Sequence, residues 1–339
     1  MRAVVDYALW LRRHFEGSGD LAGRIGQGFD AMPEVREVLE AHLDPRGDPS
    51  PAIRAIYGEF YPWLVMLDEK WASGARSKIF PHTADQAHLR CAAWGAYIVS
   101  CPPYDRAVEI LRPEYVAAIA DMGRPKPYRI LGDADPDVYL ADHLIQLYGR
   151  GALSSDDELW ARFWRTAPEP IRAHAIAFVG RTLEDKTGTL PGAVQDRFIA
   201  LCETRIQAAE GGANRERFLA EMRAFGWWFA NPVFEVQWSL ERLNRVLDLT
   251  RGQVDAGFAL SGRLAQAAGS SPVLTATCLR KMVEGATEVW GVVGQHEDIL
   301  SILRTAKDSD QTPAYIEAHR VAGLLVEKGF VAYRSLFPE

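Results

Sequence analysis

Apolar residues recur at helical spacing along nearly the whole chain. Leu159, Trp160, Phe163, Trp164 and Ala167 form one stripe, and Phe218, Met222, Phe225 and Phe229 form a second. Val236, Leu240, Leu243 and Leu247 make a third; Ile299, Ile302, Leu303 and Ala306 make a fourth. Such i, i+3, i+4, i+7 patterns let a helix bury one face. Helix-opening signals fall at Ser155, Pro191, Val233, Ser271 and Thr312, spaced 36, 42, 38 and 41 residues apart. Ser155-Asp156-Asp157-Glu158 reads as a capping box, and Ser50-Pro51, Asp135-Pro136, Ser271-Pro272 and Thr312-Pro313 place a capping side chain before a proline. Proline suits the first helical position because its missing N–H has no partner to lose there. Tyr128 to Leu131, between Pro127 and Gly132, is the one short strand candidate.

The pattern predicts helices near 155–166 and 168–184, 191–210 and 214–230, 233–249 and 252–268, 271–286 and 294–307, and a last one near 313–328. Two helices per period of about 40 residues fall in the HEAT/armadillo range. The expected fold is therefore all-α, a right-handed α/α superhelix of degenerate HEAT/armadillo-like hairpins, with an irregular helical bundle as the alternative. The first 125 residues read as helical but less regular, with Gly- and Pro-rich loops at 17–28, 44–51 and 123–136. This suggests an irregular N-terminal segment, 1–125, followed by a repeat array, 126–339. The opening pattern from Arg2 to Phe15 has no preceding partner for its inner face, whereas terminal repeats usually present a polar outer face. The chain is thus expected to be the C-terminal part of a longer protein, or to pack against one.

Composition narrows the classes. With 339 residues, 48% hydrophobic and 24% charged, the chain has the make-up of a globular protein able to fill more than one core. A net charge of −7 and only short basic runs, Arg12-Arg13 and Arg124 to Arg129, disfavour nucleic acid as a partner. The longest apolar run, Tyr61 to Leu67, is far below the ~18 residues of a membrane span, and Asp6 with Arg12-Arg13 breaks any signal-peptide pattern. Cys91, Cys101, Cys202 and Cys278 are widely spaced among apolar neighbours, which points to a reducing, cytoplasmic compartment.

Candidate chemistry is sparse. Asp185-Lys186-Thr187-Gly188-Thr189-Leu190 looks like the phosphorylation string of P-type ATPases, where the aspartate attacks a phosphoryl group. That chemistry needs a preceding buried strand and a later acidic motif, and neither is present in the pattern; phosphoryl transfer at Asp185 is kept as the enzymatic alternative. His82 and His88 are six apart and share no helix face, and His174 lies beside apolar positions, so no metal site is expected. The glycines at 17, 19, 23, 26 and 28 reverse the order of a dinucleotide fingerprint, so no cofactor is expected either. Asp156-Asp157 opens a helix and lacks the second acidic helix that a terpene-synthase site requires. Two aromatic groups, Tyr57 to Trp63 and Phe225 to Phe229, are dense enough for recognition, against the plainer reading that they fill core. Trp227 and Trp228 point about 100° apart on a helix, so this pair is the candidate protein-binding site.

Ala92-Ala93-Trp94 through Cys101-Pro102-Pro103-Tyr104-Asp105 to Leu111, and Phe225 to Phe229 with Trp238 and Leu240, resemble the C-terminal helical region of large bacterial multidomain proteins. Those proteins carry an N-terminal P-loop NTPase or sirtuin-like domain and belong to the anti-phage or conflict-system class. The resemblance implies a helical-repeat sensor or scaffold that binds a protein partner or an upstream effector domain. It implies no catalytic role for the matching residues. A purely architectural component of a larger assembly is the third possibility.

Overall fold

The computed structural model describes residues 1–339 except 18–20, 126–133, 185–189, 213–214, 288–290, 292–295 and 338–339. The described residues form α-helices and short 3-10 turns with no strand, so the fold is all-α. The strand candidate at Tyr128 to Leu131 lies outside them. The chain divides into two compact units, Met1–Pro168 and Glu169–Glu339. The sequence pattern put its boundary at 125/126 instead.

The first unit contains α1 (Arg2–Gly17), α2 (Leu21–Arg24), α3 (Pro33–Ala41), α4 (Pro51–Glu59), α5 (Tyr61–Leu67) and α6 (Glu69–Ile79). It continues with α7 (Ala87–Ser100), α8 (Asp105–Ile110), α9 (Arg112–Ala120), α10 (Pro136–Gly149) and α11 (Glu158–Thr166). Its most intimate packing joins α4 to α7, while α10 packs on α7 and α9, and α11 on α9. Of the four proline-marked starts, those at Ser50 and Asp135 are capped as expected, whereas Thr312 is the first helical residue and makes no cap. Ser50 Oγ accepts the Ile53 N–H at 3.4 Å, and an Asp135 oxygen accepts the Asp137 N–H at 2.9 Å. The Ser155 box is corrected: Asp157 is the cap, accepting the Leu159 N–H at 2.8 Å, and α11 starts at Glu158. The Gly-rich stretch at 17–28 is not all loop, because 21–24 and 25–31 are helical turns.

The core of the first unit is rich in tyrosine, and Tyr57, Tyr61, Tyr97 and Tyr115 all hydrogen-bond through their phenols. Tyr57 donates to the Leu39 carbonyl at 2.6 Å and Tyr61 to the Ala72 carbonyl at 3.1 Å. A buried phenol without a partner would cost roughly 1–3 kcal/mol, so these bonds fix where α4 and α5 meet α3 and α6.

The second unit contains α12 (Glu169–Glu184), α13 (Gly192–Gly211), α14 (Leu219–Ala224), α15 (Gly226–Phe229) and α16 (Val236–Thr250). It ends with α17 (Gly257–Ala267), α18 (Pro272–Gly285), α19 (His296–Lys307) and α20 (Thr312–Glu327). Helices two apart in the chain stack side by side. One layer runs α13, α16, α18, α20, and the other runs α12, α14 with α15, α17, α19. This alternation is what stacked helical hairpins produce, and the period of the sequence reappears as contact spacing. Cys202, Leu240 and Cys278 are all buried, 38 residues apart, and the Cys278 thiol faces the Leu240 carbonyl. Arg242 pairs with Glu203, Lys281 with Asn244 and Asp248, and Arg280 with Glu317. These pairs are partly exposed, so each is worth little alone; they mark register more than stability.

Two departures from the pattern go with contacts to other segments of the chain. The stripe from Phe218 to Phe229 is not one helix: a 3-10 turn at Arg215–Phe218 precedes α14, and the chain breaks again before α15. There the Asp255 N–H takes the Arg223 carbonyl, and a Cβ on Gly226 would stand 2.0 Å from the Asp255 carbonyl oxygen. Ser271 occupies the cap position of α18 but its hydroxyl bonds to Gln237 at 2.6 Å, joining α18 to α16 instead of capping.

Candidate functional site

In the first unit, a mostly apolar cleft of about 450 Å³ opens between α5 and the segment that links α7 to α8. One wall is Phe60, Pro62, Trp63 and Met66. Pro62 lies in the first turn of α5, in which Trp63 and Met66 stand at i and i+3 on the same side. The other wall is Ser100 to Tyr104, where Pro102-Pro103 prevents α7 from continuing and turns the chain across the cleft. Trp63 is 48% exposed and Tyr104 40%, unusual for rings of that size.

The charged groups around the cleft are already paired. Glu59 forms an ion pair with Arg2, whose guanidinium also lies 5.5 Å from the centre of the Phe60 ring. Asp105 pairs with Arg150, and Arg150 also reaches the Pro103 carbonyl. At the other end, Arg12 donates to the Met66 carbonyl at 2.6 Å. What remains unpaired is a set of donors: the Trp63 indole N–H and the Ser100 and Tyr104 hydroxyls make no side-chain hydrogen bond among the described residues.

Cys101 forms the floor. Its thiol donates to the Glu59 carbonyl at 3.0 Å, and burial, helped by the Glu59 charge, pushes its pKa up to about 12. A thiol in that state is a small apolar surface and not a nucleophile. Behind it runs a buried relay. His143 Nε2 donates to the Cys101 carbonyl at 2.7 Å, Tyr115 donates to His143 Nδ1 at 2.8 Å, and Tyr97 donates to the Tyr115 oxygen at 3.1 Å. These bonds assign one tautomer to His143 and hold the Cys101 backbone in place. Burial, with the Arg150 charge adding to it, drives the His143 pKa down to about 4.

That shift makes the relay sensitive to acid. The folded imidazole stays neutral below its ordinary value of 6.5, while the unfolded one takes up a proton. Stability is therefore full above pH 6.5 and is lost as the pH falls towards 4. His143→Gln, which keeps a donor and an acceptor but does not titrate, is expected to remove this part of the pH dependence. Unfolding midpoints of the two proteins between pH 4 and 7 check it, and parallel curves would rule the relay out as the cause.

A second depression, of about 370 Å³, is lined by Asp30, Arg36, Glu40, Lys70 and Trp71. Arg36 bridges Asp30 and Glu40, and the Arg36 hydrogen bond holds the Glu40 carboxyl below its usual range. It is lined by charges of both signs, unlike the apolar cleft.

The residues singled out by sequence fall mostly elsewhere. Trp228 is fully buried, with its N–H donated to the Ile176 carbonyl at 2.7 Å and its ring stacked on Phe234. Its place as a binding residue is corrected to one in the core, since exposing it would open the second unit. Trp227 is half-buried beside Arg181, with its Cβ side against Gly180. Of the other aromatic group, Tyr57 and Tyr61 are core, whereas Phe60 and Trp63 line the cleft. Met66 carried no signal of its own; Cys101 to Tyr104 drew notice only as an apolar cysteine and as part of the resemblance, although Pro102-Pro103 after a helical pattern marks the turn that exposes Tyr104.

The remaining candidates find structural partners. His82 bonds to the buried Glu114, which Arg76 and Arg90 also hold, and His174 lies against Phe178. Among the described residues, no group of three His, Cys, Asp or Glu is arranged to hold a metal ion. No helix among them is long and apolar enough to cross a membrane. Gly28 accommodates the Asp68 carboxylate, which accepts the Phe29 N–H at 3.0 Å. Asp185 to Thr189 lie outside the described residues; the helices that precede and follow them in the chain are α12 and α13. No protein-family model, no curated protein and no solved structure matches this chain.

Proposed function

We propose that the protein is a non-catalytic helical-repeat scaffold or sensor that binds a protein partner or an effector domain through the cleft of its first unit. The carrying observation is the cleft itself: exposed Trp63 and Tyr104 flank apolar walls whose neighbouring charges are internally paired. Exposed aromatic anchors in a concave apolar patch are the usual origin of binding energy between proteins. The Cys101 thiol at the floor is held protonated, which supports recognition over chemistry at this place. In this reading the stacked hairpins of the second unit follow a right-handed superhelix and serve as the frame. The resemblance to bacterial anti-phage proteins fits such a role, with the effector supplied by another domain or chain.

The test is capture of partners with the full chain against the Trp63→Ala/Tyr104→Ala double variant. A partner retained by the parent and lost by at least about tenfold with the variant supports the reading, since anchors of this type each contribute about 2 kcal/mol or more. Far-UV circular dichroism must be unchanged. Retention of every partner by a folded variant would sink it.

A further inference from the structure

We infer that the occupant of this cleft is an extended, proline-rich segment of the partner protein. The inference rests on the reading of the cleft as a protein-binding site and adds the conformation and chemistry of what enters it. Three features of the cleft select among the ways a chain can present itself.

The first is hydrogen bonding. Trp63, Tyr104 and Ser100 each line the cleft and keep a side-chain donor without a protein partner among the described residues. The Trp63 N–H can only donate and the two hydroxyls can donate too, so a ligand that brings acceptors matches all three. A polyproline II segment does so, because its carbonyls have no internal partner and proline brings no N–H that would need one. A helix satisfies its own carbonyls, and a β-strand needs an open sheet edge, whereas the walls here are helical or turn segments.

The second is charge. Arg2 neutralises Glu59 and Arg150 neutralises Asp105, so the cleft gives a charged side chain no counter-ion. The buried Cys101 thiol at the floor is likewise uncharged. The third is size and surface. A volume of about 450 Å³ accommodates roughly one polyproline turn, about 9 Å long, while a helix with its side chains is about 10–12 Å across. The flat faces of Trp63, Phe60 and Tyr104 suit pyrrolidine rings, which lose little conformational entropy on docking.

The experiment titrates the full chain into a fluorescein-labelled decaproline peptide and follows anisotropy. An amphipathic Leu/Lys helical peptide is run beside it. Saturable binding of decaproline is expected, weakened about three- to tenfold by Trp63→Phe, which keeps a ring and removes the N–H, and similarly by Tyr104→Phe. Both variants keep the apolar bulk and are expected to fold. Saturable binding of the helical peptide alone, lost in Trp63→Ala, would overturn the proline assignment and leave the protein-binding reading standing. Decaproline binding that ignores both Phe variants would also overturn it, because the free donors would then not be the selecting feature. If neither peptide binds and captured partners are indifferent to Trp63→Ala/Tyr104→Ala, the protein-binding reading falls as well.

Discussion

Gly58→Ala is expected to destabilise the first unit by about 3 kcal/mol or more, although alanine is the better helix former. A Cβ built on Gly58 stands 1.9 Å from the Ala93 carbonyl oxygen and 2.7 Å from its carbon. Both atoms are backbone of α7, so no side chain can swing away to relieve the clash. The methyl group would have to part α4 from α7, the most intimate helix pair of the unit. Separation would loosen Tyr57, whose phenol bonds to Leu39, and would shift Glu59, whose carbonyl receives the Cys101 thiol. The matched control is Gly74→Ala in α6, where nothing lies within 4 Å of the added Cβ. There the helix propensity acts alone, and a gain of up to about 1 kcal/mol is expected. Hydrogen exchange of peptides from α4 and α7 reads the first effect, and those from α6 read the second. Equal protection in Gly58→Ala and the parent would contradict the close approach.

The contrast between these glycines shows how far the sequence reaches. Helix positions are written in local chemistry, so the starts at Ser50-Pro51 and Asp135-Pro136 and the body of nearly every later helix are legible from periodicity and caps. A rhythm of about 40 residues is legible too, and the structure adds that a buried position recurs at Cys202, Leu240 and Cys278. Which helices touch is not local. Gly58 and Gly74 look alike in the sequence, and only the crossing of α4 with α7 separates them. The same limit explains Trp228. Its neighbour Phe225 and the apolar spacing allowed either face to be exposed, and the choice is made by Ile176, 52 residues back in the chain, together with Phe234 in the turn that follows. A side chain at position 226 would meet the Val254 side chain and the Asp255 carbonyl, so the need for glycine there is again non-local. The cleft was half legible for this reason. Tyr57 to Trp63 drew notice as an aromatic group, but its division into core and cleft depends on α7 ending at a pair of prolines 40 residues on.

Glu221→Ala is expected to cost the second unit about 3–5 kcal/mol, the largest effect of any single side-chain truncation proposed for it. Glu221 is fully buried on α14 between Arg172 of α12 and Arg205 of α13, with nitrogen–oxygen distances of 2.7 and 2.5 Å. Arg172 also donates to the Arg217 carbonyl, and the Arg205 guanidinium lies 5.4 Å from the centre of the Phe218 ring. Truncation would remove the anion and leave two guanidinium groups facing each other out of water. Their mutual repulsion and the lost charge-assisted bonds act in the same direction, so the cost exceeds that of a cavity of equal size. Glu221→Gln keeps the shape and one acceptor but not the charge, and is expected to lie between. The triad itself need not be a net source of stability, because three charges had to leave water to form it. Replacing all three together, Arg172→Met, Glu221→Leu and Arg205→Met, is therefore expected to return stability close to that of the parent. Hydrogen exchange of segments from α12, α13 and α14 measures each variant. Should the triple variant be as damaged as Glu221→Ala, the ion cluster would be a true source of cohesion where the first helices of the second unit meet. Should it recover, the cluster acts as a register device, punishing any arrangement in which one of the three helices is out of place.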